Sequence, residues 1–303
     1  MSYEDGISVS KGKSYGTMLI LLAAILWGTT GTSQALAPSG AHPLTIGALR
    51  LAVGGGALLL FALLRGQISR NSIRQPGFLL LAAILVAAYQ IMFFKAVSIT
   101  GVAVGTMVAI GSGPLFAGLF AFLLHKERPG RQWLIATTLA VTGLLVLFIP
   151  ALGSVSQVRP TGVLMALSVG ALYAGYTLAI KRLLPGNSPD AVIALVFTLG
   201  GLLLTPFLFG SNLRWVVEPG GLLVVLHLGL VTTALAYVLF ARALRTVPAV
   251  HAVTLSLAEP LTAATLGILV LKERMTITAA TGMALVLAGL VVLAMERTGK
   301  AKF

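Results

Sequence analysis

A chain of 303 residues that is 57% hydrophobic, only 10% charged and free of cysteine departs from the soluble norm of about 45–50% apolar and about 25% charged residues. The composition excludes a disulfide frame and thiol chemistry, and four histidines beside eight acids leave little for a metal centre, so no cofactor is expected. A net charge of +13 would suit a nucleic-acid binder only if the basic residues shared one solvated surface; they are scattered between apolar runs, so no nucleic-acid partner is expected.

Taken in chain order, ten apolar runs lie near 17–36, 43–64, 77–97, 101–124, 131–149, 161–181, 189–209, 219–241, 248–271 and 277–295. Each approaches the roughly 20 residues a helix needs to cross ~30 Å of hydrocarbon. They are long and continuously apolar, which predicts helices and not the short alternating strands of a barrel. Ala35-Leu36-Ala37 imitates a signal-peptidase site after the first run. That run exceeds the usual length of a signal-peptide core and has a counterpart later in the chain, so it is read as a retained span. The separators are short and rich in Pro, Gly or charge, such as Pro38-Ser39-Gly40, Arg70-Asn71-Ser72 and Pro185-Gly186-Asn187.

With both ends on one side, that side carries 15 of the 21 Lys and Arg residues, among them Lys11, Lys13, Arg65, Arg70, Arg74, Lys126, Arg128, Arg131, Lys181, Arg182, Arg242, Arg245, Arg297, Lys300 and Lys302. The other side holds Lys95, Arg159, Arg214, Lys272 and Arg274. The positive-inside rule then predicts a multi-pass protein of the plasma (inner) membrane with both termini in the cytoplasm.

The sequence repeats at an offset of 146 residues. Pro114-Leu115 falls on Pro260-Leu261, Lys126-Glu127-Arg128 on Lys272-Glu273-Arg274, Gly143-Leu144 on Gly289-Leu290, and Trp27 on Tyr173. One offset serving both ends of a half-chain predicts duplication of a five-helix unit. Five is odd, so the two copies enter the membrane in opposite orientations, as in many secondary transporters. The expected organisation is a cytoplasmic tail over 1–16, a first repeat over 17–149, a linker over 150–160, a second repeat over 161–295 and a tail over 296–303. The fold class is an all-α integral membrane protein of ten transmembrane helices, arranged as two inverted five-helix repeats around a central cavity.

Trp27-Gly28, Pro43 with Arg50, Glu259-Pro260, Lys272-Glu273-Arg274, and Gly282 with Gly289 together resemble the drug/metabolite transporter superfamily, specifically its ten-helix EamA type. The resemblance covers nearly the whole chain. It implies a pseudo-twofold bundle with a cavity lined chiefly by spans 1, 3, 4, 6, 8 and 9, alternating access, and export of amino acids or related metabolites. Its weakness lies in the substrate, because one fold carries many cargoes.

Glu259 is 11 residues past Pro248, about 16 Å along a helix and near the bilayer midplane. A charge there costs about 2.5–3.5 kcal/mol, so the side chain should face the bundle interior, be held neutral, or both. Read functionally, it is a substrate-ammonium contact or a proton-coupling site. Read structurally, it caps backbone groups where Pro260 removes a helical N–H. Arg50 is the other intramembrane charge, and the preferred reading is an outward-snorkelling or carbonyl-paired anchor, with contact to a substrate carboxylate as the alternative.

Trp27 and Tyr173 hold equivalent mid-depth places, and Tyr89 with Gln90, Tyr176 and Tyr237 share their character. Rings at mid-depth need a polar partner or a cavity, and a cavity of rings suits an amphipathic or cationic organic substrate. These five rings, with Gln34, Gln90 and Glu259, form the candidate substrate site. A packed Tyr bonded to a neighbouring helix is the competing fate of each. Ser112, Thr254 and His251 are weaker candidates, since a hydroxyl within a span tends to bond its own helix. Gly54-Gly55-Gly56 and Gly101 with Gly105 read as close-packing surfaces between helices. Pro114 and Pro260, midway along spans 4 and 9, are candidate kink or gating positions.

The function expected is a secondary transporter that exports a small metabolite, an amino acid (aromatic ones included) or a related amphipathic compound, by alternating access. The partners expected are that small molecule and the bilayer, with proton coupling and a monomeric or homodimeric state. The alternatives are a passive facilitator or channel and, with less support, an intramembrane enzyme. No Walker A, HExxH, GxSxG or paired intramembrane aspartates occur in the chain, so it is not expected to be an enzyme.

Overall fold

The structure is a computed structural model that describes residues 3–68, 75–126, 129–152, 159–272 and 274–295. Arg70, Asn71, Ser72, Arg74, Glu127, Arg128, Glu273, Arg297, Lys300 and Lys302, together with 153–158 of the linker, lie outside the described residues. Regular structure among the described residues is helical throughout.

Among the described residues, ten helices are long and apolar enough to cross a membrane: Ser14–Ala35, Pro43–Leu64, Pro76–Thr100, Val104–Leu124, Arg131–Ile149, Pro160–Leu183, Pro189–Leu208, Gly221–Ala243, Ala249–Leu269 and Ile277–Ala294. They are spans 1 to 10 below. Spans 2, 3, 6 and 7 open on proline, where a missing N–H costs nothing and φ is already helical. The helix of span 1 extends back to Tyr3. Leu64, Leu124, Leu164, Leu223 and Ile277 are exposed while Leu51, Leu58, Leu144, Tyr176 and Phe197 are buried. An apolar outside around an apolar inside is what lipid as solvent selects.

The helices pair in a pattern that survives exchanging each span with the one five places along. Span 5 packs on span 10 and span 2 on span 7; span 3 meets span 6 as span 1 meets span 8; span 4 meets span 6 as span 1 meets span 9. The exchange holds at single residues. A Cβ added to Gly55 would lie 2.8 Å from Phe197 O and 3.0 Å from Thr198 Cα; its equivalent, Gly201, would meet Leu51 O at 3.0 Å and Ala52 N at 3.4 Å. Phe197 and Thr198 are themselves the equivalents of Leu51 and Ala52 at the 146-residue offset. Among the described residues, Lys126 (φ 54°) and Lys272 (φ 59°) are the two non-glycine positions with positive φ. An uncommon backbone state recurring at the same offset shows the duplication in the main chain itself. Because five spans separate the copies, the two-fold relation inverts them.

Three departures from regularity position the site. Span 9 is broken into Ala249–Leu255 and Ala258–Leu269. At the break Leu257 N donates to Thr254 O and Glu259 N to Ser256 O, three residues back and not four. The Ser256 hydroxyl takes over Val253 O at 2.8 Å. Span 4 keeps Pro114 inside a continuous helix, and its residue equivalent to Ser256 is Ile110, which has no hydroxyl to offer. Span 8 is π-helical over His227–Leu235. Gly101, with φ 82°, joins spans 3 and 4 and faces open space, so it serves the turn and not the close packing expected of it; Gly54, Gly55 and Gly105 do pack closely, and Gly56 does not.

Candidate functional site

A single sequence-derived set of residues converges in the centre of this bundle. Trp27, Gln34, Tyr89, Gln90, Tyr173, Tyr176, Tyr237 and Glu259 all line one cavity, which offers about 60 Å³ to water-sized molecules. Thr30, Arg50, Phe93, Phe94, Ala109, Ile110 and Ser256 complete its wall. The lining comes from spans 1, 3, 4, 6, 8 and 9, with Arg50 as the contribution of span 2.

The rings form a continuous chain. Tyr89 stacks on Phe93 with centroids 6.1 Å apart and meets Tyr176 edge-on at 5.8 Å. Tyr173 and Tyr176 are 5.3 Å apart. Tyr237 sits 4.1 Å from Phe197 and 4.9 Å from Trp27, which in turn lies 5.2 Å from Phe240. The hydroxyls are tied between helices of the second repeat: Tyr173 Oη to Ser256 Oγ at 2.6 Å and Tyr176 Oη to Tyr237 Oη at 3.0 Å. Gly113, the repeat equivalent of Glu259, leaves room for this arrangement, since a Cβ there would stand 3.2 Å from the Tyr173 ring.

The first repeat contributes the last part of span 1, the later half of span 3 and the first part of span 4, positions in the half of the bundle away from the chain termini. The second repeat contributes Tyr173, Tyr176, Tyr237, Ser256 and Glu259, which lie from mid-span toward the end near the termini. Below the ring cluster, Lys181 Nζ donates to Leu244 O and Val247 O, both at 2.7 Å, tying span 6 to the connection between spans 8 and 9. Arg242 forms a two-pronged ion pair with buried Asp190, at 2.9 and 2.7 Å, and Arg245 donates to Asn187 O at 3.1 Å. Toward the other end, Thr29 Oγ1 and His227 Nε2 join spans 1 and 8, 2.8 Å apart.

The two intramembrane charges both face the cavity, and neither pairs with the other. Among the described residues the one ion pair is Arg242 with Asp190. Arg50 has turned inward and is not the outward anchor preferred from sequence. Its Nε donates to Thr233 Oγ1 at 3.3 Å. Of the weaker candidates, Thr254 stands outside the cavity, accepting from Trp133 Nε1 at 3.0 Å and lying 3.2 Å from Thr137 Oγ1. Ser112 bonds back to Ala109 O at 3.3 Å. Neither Ser112, Thr254 nor His251 lines the cavity. Pro114 and Pro260 stand off the wall, Pro260 just past the break in span 9. Sequence reasoning passed over Ala109, Ile110, Phe93, Phe94, Thr30 and Ser256. Of these, only Ser256, a hydroxyl four residues before an intrahelical proline, carried a readable signal. No described group of three or more His, Asp or Glu could hold a metal ion.

Comparison with known proteins places this geometry. The EamA-like transporter family matches residues 14–149 and 160–295. The uncharacterized transporter YwfM of Bacillus subtilis (strain 168) is 45% identical over 283 residues, covering 93% of this chain and 94% of that protein. The threonine/homoserine exporter RhtA of Escherichia coli (strain K12) is 32% identical over 265 residues, covering 86% of this chain and 83% of RhtA. A solved crystal structure shares the fold with a TM-score of 0.79 at 21% identity, covering 91% of this chain and 95% of that one.

Proposed function

The chain belongs to the EamA-like transporter family, and from that premise we propose that it exports a small amino acid from the cytoplasm by alternating access, exchanging it for a proton at Glu259. In this reading the protein sits in the plasma (inner) membrane with both termini inside, and the cavity, which reaches Gln34 near the far end of span 1, belongs to the outward-facing state. The observation that carries it is the cavity itself: residues from both repeats meet around Glu259, with Tyr176 bonded to Tyr237 across it and Lys181 tying span 6 to the connection between spans 8 and 9 at the end near the chain termini. A site closed at one end is what alternating access requires and what an open channel lacks. Likeness to a threonine/homoserine exporter supports the amino-acid class. Trp27, Gln34, Tyr89, Gln90, Tyr173, Tyr176 and Tyr237 are its contacts, and the break before Pro260 is the point about which the wall rearranges.

The experiment is counterflow. Purified protein in liposomes preloaded with each unlabelled amino acid is offered the labelled form outside. Transient accumulation with small hydroxylated amino acids is expected. Accumulation confined to sugars, nucleosides or phosphorylated compounds would refute the class.

A further inference from the structure

Resting on the amino-acid reading above, we propose that the cavity holds its occupant by two opposite poles, with the Arg50 guanidinium as the carboxylate subsite and Glu259 as the ammonium subsite. The substrate class is then the free zwitterion, and amides, esters and N-acylated amino acids are excluded.

Arg50 lies seven residues past Pro43 at the start of span 2, about 10 Å in from the end of the helix. An arginine at that depth ordinarily reaches for the interface. Here it is held inward by a chain of contacts built into span 8. Its Nε donates to Thr233 Oγ1, and that hydroxyl donates at 2.8 Å to Leu228 O, five residues back, a spacing that belongs to the π-helical turn His227–Leu235. Close approach of the two spans makes the contact reachable, since a Cβ on Gly54 would come within 2.8 Å of Gly229 O. With Nε occupied, the stem is fixed and the two Nη groups are presented to the cavity that Arg50 lines. Among the described residues those Nη groups have no hydrogen-bond partner, and the Glu259 carboxylate accepts no hydrogen bond.

Two opposite charges exposed to one small cavity, each lacking a protein partner, restrict what can fill it. A charge taken from water is costly unless it is paired. A phosphorylated compound would satisfy Arg50 but meet Glu259 with like charge. A diamine would do the reverse. A neutral sugar would leave both charges unanswered. A zwitterion answers both, and the planar guanidinium fork matches a carboxylate by two parallel bonds. Tyr89 and Tyr173, whose ring centroids stand 6.4 Å apart, line the same cavity and add aromatic surface to which an ammonium group is attracted.

The test is competition against labelled L-threonine on the purified full-length chain, using L-threonine, L-threonine amide and N-acetyl-L-threonine. In the wild type, each blocked compound is expected to bind at least ~10-fold more weakly than threonine, since each loses its charge-assisted hydrogen bonds at one pole. In Arg50→Gln, read by ligand-induced thermal stabilisation, threonine and its amide should bind alike, while discrimination against the N-acetyl compound persists. Arg50→Lys keeps the charge but not the fork, and should reduce the acid-to-amide preference several-fold, which serves if the glutamine variant does not fold. Equal binding of acid and amide by the wild type overturns the inference and leaves amino-acid transport standing. So does an acid preference undiminished in Arg50→Gln or Arg50→Lys. No saturable binding of labelled L-threonine to the wild type removes the threonine-class reading and this inference with it.

Discussion

Lys181→Met removes a contact that ties span 6 to the connection between spans 8 and 9 at the end near the chain termini. The ammonium donates to Leu244 O and Val247 O, both at 2.7 Å, and the side chain is half-buried. A charge-assisted hydrogen bond contributes about 1.5–3 kcal/mol when sheltered. Partial exposure lets water compensate the released ammonium, so about 1 kcal/mol per bond is the sounder figure, or ~2 kcal/mol for the pair. If the contact exists only while this end is closed, its loss shifts the equilibrium toward the other state by about thirty-fold, at ~1.4 kcal/mol per decade. The chain has no cysteine, so Thr30→Cys on the cavity wall is a unique reporter. Its labelling by an impermeant maleimide from the terminal side should quicken by roughly that factor in the Lys181→Met background. Labelling slows from the opposite side as that state is depleted. A terminal-side rate within two-fold of the Thr30→Cys parent, in protein that remains folded, would refute the latch.

Glu259→Gln keeps a hydrogen-bond acceptor for an ammonium group but cannot exchange a proton. Counterflow at saturating substrate should therefore persist while accumulation driven by a pH gradient disappears; retention of both would remove Glu259 from coupling. Gly143→Ala would place a Cβ 2.5 Å from Val286 N and 2.8 Å from Gly282 O, backbone atoms that cannot swing aside, so spans 5 and 10 must part at a cost of about 1–3 kcal/mol and the thermal midpoint should fall. Gly56→Ala meets nothing within 4 Å and gains up to ~1 kcal/mol of helix propensity, so its midpoint should hold or rise. Tyr173→Phe deletes the 2.6 Å bond to Ser256, and about 0.5–1.5 kcal/mol of stability with it, so the thermal midpoint should fall; an unchanged midpoint would remove that bond from the account.

The architecture was legible because lipid imposes a simple rule on composition. Runs of about twenty apolar residues marked the spans, and the twofold Lys-Glu-Arg recurrence marked the duplication, which the matching left-handed Lys126 and Lys272 express in the backbone. The aromatic half of the cavity was legible too, since a tyrosine or tryptophan at mid-depth advertises a polar need. What escaped was set by tertiary detail. Arg50 reads the same whether it snorkels or turns inward; the decision belongs to Thr233 and to a π-helical turn that leaves no mark in hydropathy. Ala109 and Ile110 line the cavity while looking like any other apolar residue of a span. The paired prolines have unlike surroundings: Ser256 can take over the carbonyl that a break releases, whereas Ile110 cannot, so span 9 is interrupted and span 4 is not.

Blocking the cavity covalently tests most directly whether the solute passes through it. Thr30→Cys protein in liposomes, modified to completion with a charged thiol reagent, should lose threonine counterflow, and excess threonine should slow the modification. Complete modification with counterflow unchanged would place the path elsewhere in the molecule.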